Sequence, residues 1–228
     1  MKYIVIGLGT FGSSLAEKLT RAGHEVIGVD RRMERVELIK DKIATSISLD
    51  ATDAQAVSNL PLKDTDIVVV AIGENEGANI MASAVMKQFK VKRLISRAVS
   101  PLHQTVLEAM GITEIAHPEE ETAERWAKKL DIQGVVDSFE IAEDYNIIEA
   151  KMPERFFGKT LSEIDIRQKY RVLVLNTLKE VEKKNIFGVI RKEKKAGDLA
   201  SAETKINEGD IMALYGKIKD IRHLLQEE

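Results

Sequence analysis

Gly7-Leu8-Gly9-Thr10-Phe11-Gly12 restricts what this chain can fold into more than any other stretch. Residues 2–6 (KYIVI) before it are rich in β-branched and aromatic side chains, and Phe11, Leu15, Ala16 and Leu19 after it recur at helical spacing until Gly23. Residues 25–29 then read as a second strand that ends in Asp30. A strand, a glycine turn, a helix and a second strand make a complete βαβ unit. In such a unit the first glycine permits the tight turn and the second lets backbone approach a pyrophosphate. The third lets helix and strand pack closely, with the helix N-terminus facing the phosphates. Asp30 lies 18 residues beyond Gly12, about where an acid accepts hydrogen bonds from an adenosine ribose. The pattern predicts a Rossmann-type nucleotide site.

The α/β alternation continues. A helix is expected over 33–42, a strand over 44–49 followed by Asp50-Ala51-Thr52-Asp53, and an unbroken apolar strand over 67–72 ending in Gly73. A helix over 79–89, a strand over 94–97, a helix opened by Pro101 and a strand over 114–116 complete a doubly wound parallel sheet. His117-Pro118 opens a helix whose Ala123, Trp126, Ala127 and Leu130 share one face. After it the alternation stops, so the division is expected at residues 1–134 and 135–228, the second part a smaller α+β domain. In that part, strands are expected within 136–151 around Glu143-Asp144, and over 172–178, 186–190 and 211–215. A short helix is expected near Leu161 and a final one over 217–225. The basic and acidic residues of 179–195 interleave without an aromatic series, which reads as a solvated hairpin.

Composition removes several classes of function. With no cysteine there is no disulfide framework, thiol nucleophile or zinc-thiolate centre. A net charge of -3 gives no pull toward nucleic acid or anionic lipid. No apolar run approaches the roughly 18 residues of a membrane span, and the early first strand leaves no room for a signal peptide, so a soluble cytoplasmic protein is expected.

In an open parallel sheet, ligands sit outside the carboxyl ends of the strands where strand order reverses. The candidate binding residues are therefore Gly7, Leu8, Gly9, Thr10, Phe11, Gly12, Asp30, Arg31, Asp50, Ala51, Thr52, Ala71, Ile72, Gly73 and Arg97. Asp30 disfavours a 2'-phosphate by charge, although Arg31 and Arg32 offset part of that repulsion. A small NAD-dependent oxidoreductase is the alternative reading. It would need an acid–base group beside the nicotinamide, and neither a nucleophile elbow nor paired histidine ligands are present.

IVIGLGTFGSSLAEKL, HEVIGVD, SLDATD, DIVVVAIGENEGANI, RLISRA and HPEEE, in this order, resemble the amino-terminal regulator-of-potassium-conductance (RCK) domain of Trk- and Ktr-type uptake systems. MPERFFGKTLSEIDIRQKYRVLVLNTLK and INEGDIMALYGKIKDIRHLL resemble the carboxy-terminal domain of the same family, so the likeness covers nearly the whole chain. The resemblance implies a non-enzymatic cytoplasmic regulatory subunit that binds an adenine nucleotide, NAD(H) or ATP/ADP. It further implies homodimers assembled into an octameric ring beneath a potassium-translocating membrane subunit. Of the residues above, Gly7, Gly9, Gly12, Asp30, Asp50, Thr52, Ala71, Gly73 and Arg97 match the family's ligand positions. Glu119 matches a family carboxylate that helps to hold a divalent cation, Mg or Ca, at the dimer interface. In several ATP-sensing members an arginine stands where this chain has Thr10. In some members the carboxy-terminal domain binds cyclic di-AMP; Ile166 and Arg167 match such a pocket, while Leu173 stands where a polar residue is expected.

Overall fold

The computed structural model describes residues 1–142, 144–184 and 190–226. These form two compact units, Met1–Glu120 and Glu121–Glu228.

The first unit alternates strand and helix: β1 (Lys2–Ile6), α1 (Thr10–Arg21), β2 (Glu25–Asp30), α2 (Met33–Ile39), β3 (Thr45–Ser48), α3 (Ala54–Val57), β4 (Ile67–Val70), α4 (Glu76–Gln88), β5 (Leu94–Arg97), α5 (Pro101–Ala109) and β6 (Glu114–Ala116). The six strands form one parallel sheet in the order β3-β2-β1-β4-β5-β6. The apolar runs explain why the sheet is covered on both faces. Along β4, Val68 and Val70 enter one core cluster with Ile4 and Ile6 of β1, while Ile67 and Val69 enter the opposite cluster with Val5. A strand that must bury both faces cannot alternate polar with apolar residues.

Three boundaries of this unit differ by more than one residue from the expected ones, each for a local reason. β4 stops at Val70 rather than at residue 72, and the Ile72 carbonyl is taken by the Asn79 side-chain amide at 2.8 Å. α4 begins at Glu76 rather than at 79, because Asn75 caps it by accepting the Ala78 N–H at 2.8 Å. α2 ends at Ile39 rather than at 42, closing in a turn from the Lys42 N–H to the Ile39 carbonyl.

α6 (Pro118–Asp131) follows β6, and the division between the two units falls inside it, between Glu120 and Glu121. The second unit contains β7 (Val135–Ala142), β8 (Tyr145–Lys151), α7 (Leu161–Ile164), α8 (Ile166–Tyr170), β9 (Leu173–Lys184), β10 (Ile190–Leu199), β11 (Ile211–Lys217) and α9 (Ile218–Gln226). Its strands pair antiparallel in the order β10-β9-β11-β8-β7. Ile148, Met212 and Leu214 of the sheet pack with Ile221 and Leu224 of α9 and with Ile166 and Tyr170 of α8. Ile166 is thus a core residue, whereas Arg167 and Leu173 are exposed.

β9 is longer than the expected 172–178 and pairs with β10, so the charged stretch is a hairpin. Its described side chains are exposed, and Lys183 meets Glu193 at 3.1 Å. Of the strand expected over 186–190, all but Ile190 lies outside the described residues. Among the described residues, no helix is long and apolar enough to cross a membrane.

Candidate nucleotide-binding site

Strand order reverses between β1 and β4, and a cleft of about 560 Å³ opens beyond the carboxyl ends of these strands. Every residue expected at the site lines it except Leu8 and Gly12. Leu8 turns its side chain into the core, 3% exposed, and Gly12 is buried under the loop. None of the four histidines lines the cleft.

The three glycines have separable geometries. Gly7 has φ +93°, a left-handed conformation that disfavours any side chain, and a Cβ there would stand 2.9 Å from the Ile72 nitrogen. A Cβ on Gly12 would overlap the Gly7 carbonyl oxygen and stand 3.2 Å from Ala71 Cβ, so the third glycine lets α1 pack against the turn. A Cβ on Gly9 would meet only the Arg35 guanidinium, at 3.4 Å; here the backbone faces the cleft. No side chain caps α1 and no acid occupies its first turn. Its leading N–H groups and the positive end of its dipole therefore have no side-chain partner, the arrangement that suits a helix N-terminus to an anion.

Asp30, at the end of β2, is buried. Its Oδ2 accepts the Leu8 N–H at 2.8 Å and its Oδ1 accepts the Arg32 N–H at 2.9 Å. Arg35 Nη1 reaches Oδ2 at 3.5 Å as well, and since a carboxylate has about four acceptor positions, about one is left for a ribose hydroxyl. Asp50 is exposed and accepts both the Thr52 N–H at 2.9 Å and the Thr52 hydroxyl at 2.7 Å. Those two hydrogen bonds hold its carboxyl below the ordinary carboxylate range, so it is ionised at neutral pH.

Arg97, at the end of β5, lies across the opposite side. Its guanidinium is paired with Glu119, reaches the Ala71 carbonyl at 3.4 Å and sits 5.6 Å from the Phe11 ring centroid. Its Nε is buried without a hydrogen-bond partner. A Cβ on Gly73 would collide with this guanidinium, so Gly73 makes room for it. Behind it stands Asn79, fully buried, whose amide donates to the carbonyls of Ile72 and Arg97 at 2.8 and 3.0 Å. Asn79 Oδ1 in turn accepts from Ser96 at 2.9 Å and meets His103 Nε2 at 3.2 Å. The network joins the ends of β4 and β5 beneath the cleft. Glu119, one carboxylate already engaged by a guanidinium, does not make a divalent cation site within one chain, since such cations take six or more oxygens. Among the described residues, no group of three or more His, Asp or Glu side chains is placed to hold a metal.

Arg35, Glu74 and Asn75 also line the cleft but are not singled out by sequence. Arg35 stands one turn beyond Asp30, and Glu74 and Asn75 directly follow Gly73. Position relative to the strand ends was the available signal.

Residues 3–118, which take in all of this sheet but Lys2, match the family model of the TrkA-N domain. The chain belongs to the TrkA-N family. It is 32% identical to the Ktr system potassium uptake protein C of Bacillus subtilis (strain 168), over 96% of this chain and 94% of that protein. The crystal structure of the GsuK RCK domain shares 16% identity and a TM-score of 0.64 over 99% of this chain, which spans 47% of that one. The GsuK channel bound to NAD gives the same identity and TM-score, this chain spanning 39% of its length. At that identity the two structures establish the fold: a TrkA-N Rossmann sheet followed by the smaller second domain of an RCK protein.

Proposed function

We propose that this TrkA-N protein is a non-enzymatic, nucleotide-sensing regulatory subunit of a Ktr- or Trk-type potassium uptake system. In this reading it works at the cytoplasmic face of the membrane beneath a separate potassium-translocating subunit, and it assembles from homodimers into an octameric ring. The observation that carries the reading is the cleft at the reversal of strand order. There a glycine turn and an uncapped helix N-terminus face Asp30 on one side and Arg97 on the other. The likeness to Ktr protein C along nearly all of both chains supports the potassium system.

The fit to an adenine nucleotide, NAD(H) or ATP/ADP, follows from the residues present. Gly9 and the start of α1 would take the pyrophosphate and Asp30 the ribose. Arg97 would give up Glu119 to meet phosphate charge. Hydride transfer finds no support in the cleft. Its ionisable lining is Asp, Glu and Arg, and Asp50 is held ionised, which leaves no evident proton donor. Binding energy then acts on conformation, and a nucleotide shifts that equilibrium by the difference in its affinity for the two states.

The test has two parts. Calorimetric titration with NADH, NAD, ADP and ATP should show saturable binding, and the recovered nucleotide should be chemically intact. Potassium uptake by cells carrying the membrane subunit should rise when this chain is co-expressed. Rapid consumption of NADH with a carbonyl substrate, and no effect on potassium uptake, would restore the oxidoreductase.

A further inference from the structure

The adenosine side of the cleft holds a charge cluster that the glycine turn and Asp30 do not explain. Arg32, in the loop after β2, and Arg35, in α2, both pair with Glu74, which comes from the loop after β4 on the other side of the strand-order reversal. Arg35 Nη1 also stands 3.5 Å from Asp30 Oδ2. All four residues line the cleft. In Rossmann sites an arginine just beyond the ribose-binding acid is the group that accommodates a 2'-phosphate. This chain has three guanidiniums at that place, Arg31, Arg32 and Arg35, and one carboxylate occupies the last two.

We infer that Glu74 sets the choice against nucleotides phosphorylated at the adenosine 2'-hydroxyl, by engaging the Arg32 and Arg35 guanidiniums that would otherwise meet that phosphate. The inference rests on the nucleotide reading of the cleft. Counting charges shows the direction. Asp30, Asp50 and Glu74 balance Arg31, Arg32 and Arg35, so this side of the cleft is neutral, and a phosphate of about -1.5 to -2 would enter against carboxylates already matched in charge. Removing only the Glu74 charge leaves an excess of one positive charge beside Asp30. Hydrogen bonds from Arg35 and Arg32 hold the Glu74 carboxyl below its ordinary range, so the pairing persists through neutral pH. The Glu74 side chain is 63% exposed while that of Arg35 is 23% exposed. Solvent weakens the pair without displacing Arg35 from Asp30.

Full-length protein should be titrated at low ionic strength with ADP-ribose and with its 2'-phosphorylated form, which share every other group. Wild type should prefer ADP-ribose. In Glu74→Gln that preference should narrow by about fivefold, the upper range for an exposed ion pair, and adding Arg32→Gln should return it toward wild type. Glu74→Ala serves as the second variant, with the same narrowing expected. A preference ratio unchanged in both Glu74 variants, while both ligands still bind, overturns the role of Glu74 and leaves the nucleotide site standing. If neither ligand, nor ADP nor NADH, binds wild type, the nucleotide reading and this inference fall together.

Discussion

The Leu8 N–H donates to Asp30 Oδ2 at 2.8 Å, so the acid that ends β2 holds the glycine turn that follows β1. The two features that mark a dinucleotide fold in sequence are thus one hydrogen-bonded unit before any nucleotide arrives. The Asp30 carboxylate also accepts the Arg32 N–H, and so fixes the start of the segment that carries Arg32 and Arg35.

Asp30→Ala should therefore cost stability as well as affinity. It strands the Leu8 N–H in a buried position, at about 1–3 kcal/mol, and removes an acceptor worth about 1.5–3 kcal/mol to a bound ribose. Asp30→Asn keeps one acceptor oxygen and should recover part of the first loss. Urea unfolding without ligand, paired with calorimetry of ADP and NADH, separates the two effects. A variant with wild-type affinity for both nucleotides would remove the ribose role.

The glycines should separate fold from binding. Gly12→Ala forces a Cβ into the Gly7 carbonyl and should destabilise the first unit by about 3 kcal/mol or more. Gly9 has φ -70° and its Cβ would project into the cleft, so Gly9→Ala should fold as wild type does while weakening nucleotide binding by about tenfold. Circular dichroism melts and binding titrations on the pair check this. Equal loss of stability in both would contradict the assignment.

Much of the fold could be read because its determinants are local or periodic. The four apolar residues of β4 state that both faces are covered, and Gly7 to Gly12 state where the turn and the close packing fall. The unread part was carried by side chains far apart in sequence. Glu74 meets arginines 39 and 42 residues away, and nothing near Glu74 announces them. Asn79 looks like an ordinary polar residue near the start of a helix, yet it is fully buried because two strand-end carbonyls need donors. In the second unit, the charged stretch concealed how far β9 extends.

His103 gives a pH dependence with a definite sign. It is 1% exposed, and burial pushes its pKa below the ordinary 6.5, with the Glu76 charge opposing the shift. The Asn79 amide is oriented by its two carbonyl partners, so Oδ1 faces His103 Nε2, which donates to it. Charging the ring would place a second proton on Nδ1, which is buried without a partner. The unfolded chain takes up that proton first. Stability is then fully present above pH 6.5, falls as pH drops below it, and levels once the folded histidine titrates. Ser83 and Ser96, which complete the cluster, do not ionise in this range. Unfolding free energy measured from pH 7.5 to 5 should decline, and His103→Gln should flatten the slope. An unchanged slope in the variant would assign the effect elsewhere.

α6 carries an exposed apolar face. Trp126 is 53% and Leu130 78% exposed, and Ala123 and Ala127 on the same face are exposed as well. On β7, which belongs to the same unit as this part of α6, Phe139 and Ile141 are also exposed, and Arg125 stacks over the Phe139 ring at 4.8 Å. A helix with charged residues around a continuous apolar stripe gains by burying that stripe, and a second copy of the chain supplies an identical complementary surface. Burying Trp126 and Leu130 at a two-fold interface contributes about 1.5–3 kcal/mol for each side chain, enough to matter in assembly at micromolar concentration. Trp126 is the single tryptophan, so its fluorescence reports this event without labelling. Emission should shift to the blue as protein concentration rises, in step with the mass from light scattering. Trp126→Glu should hold the protein in a smaller species while leaving the first unit folded. Emission and mass that both stay constant, with wild type a monomer at micromolar concentration, would remove α6 from the interface.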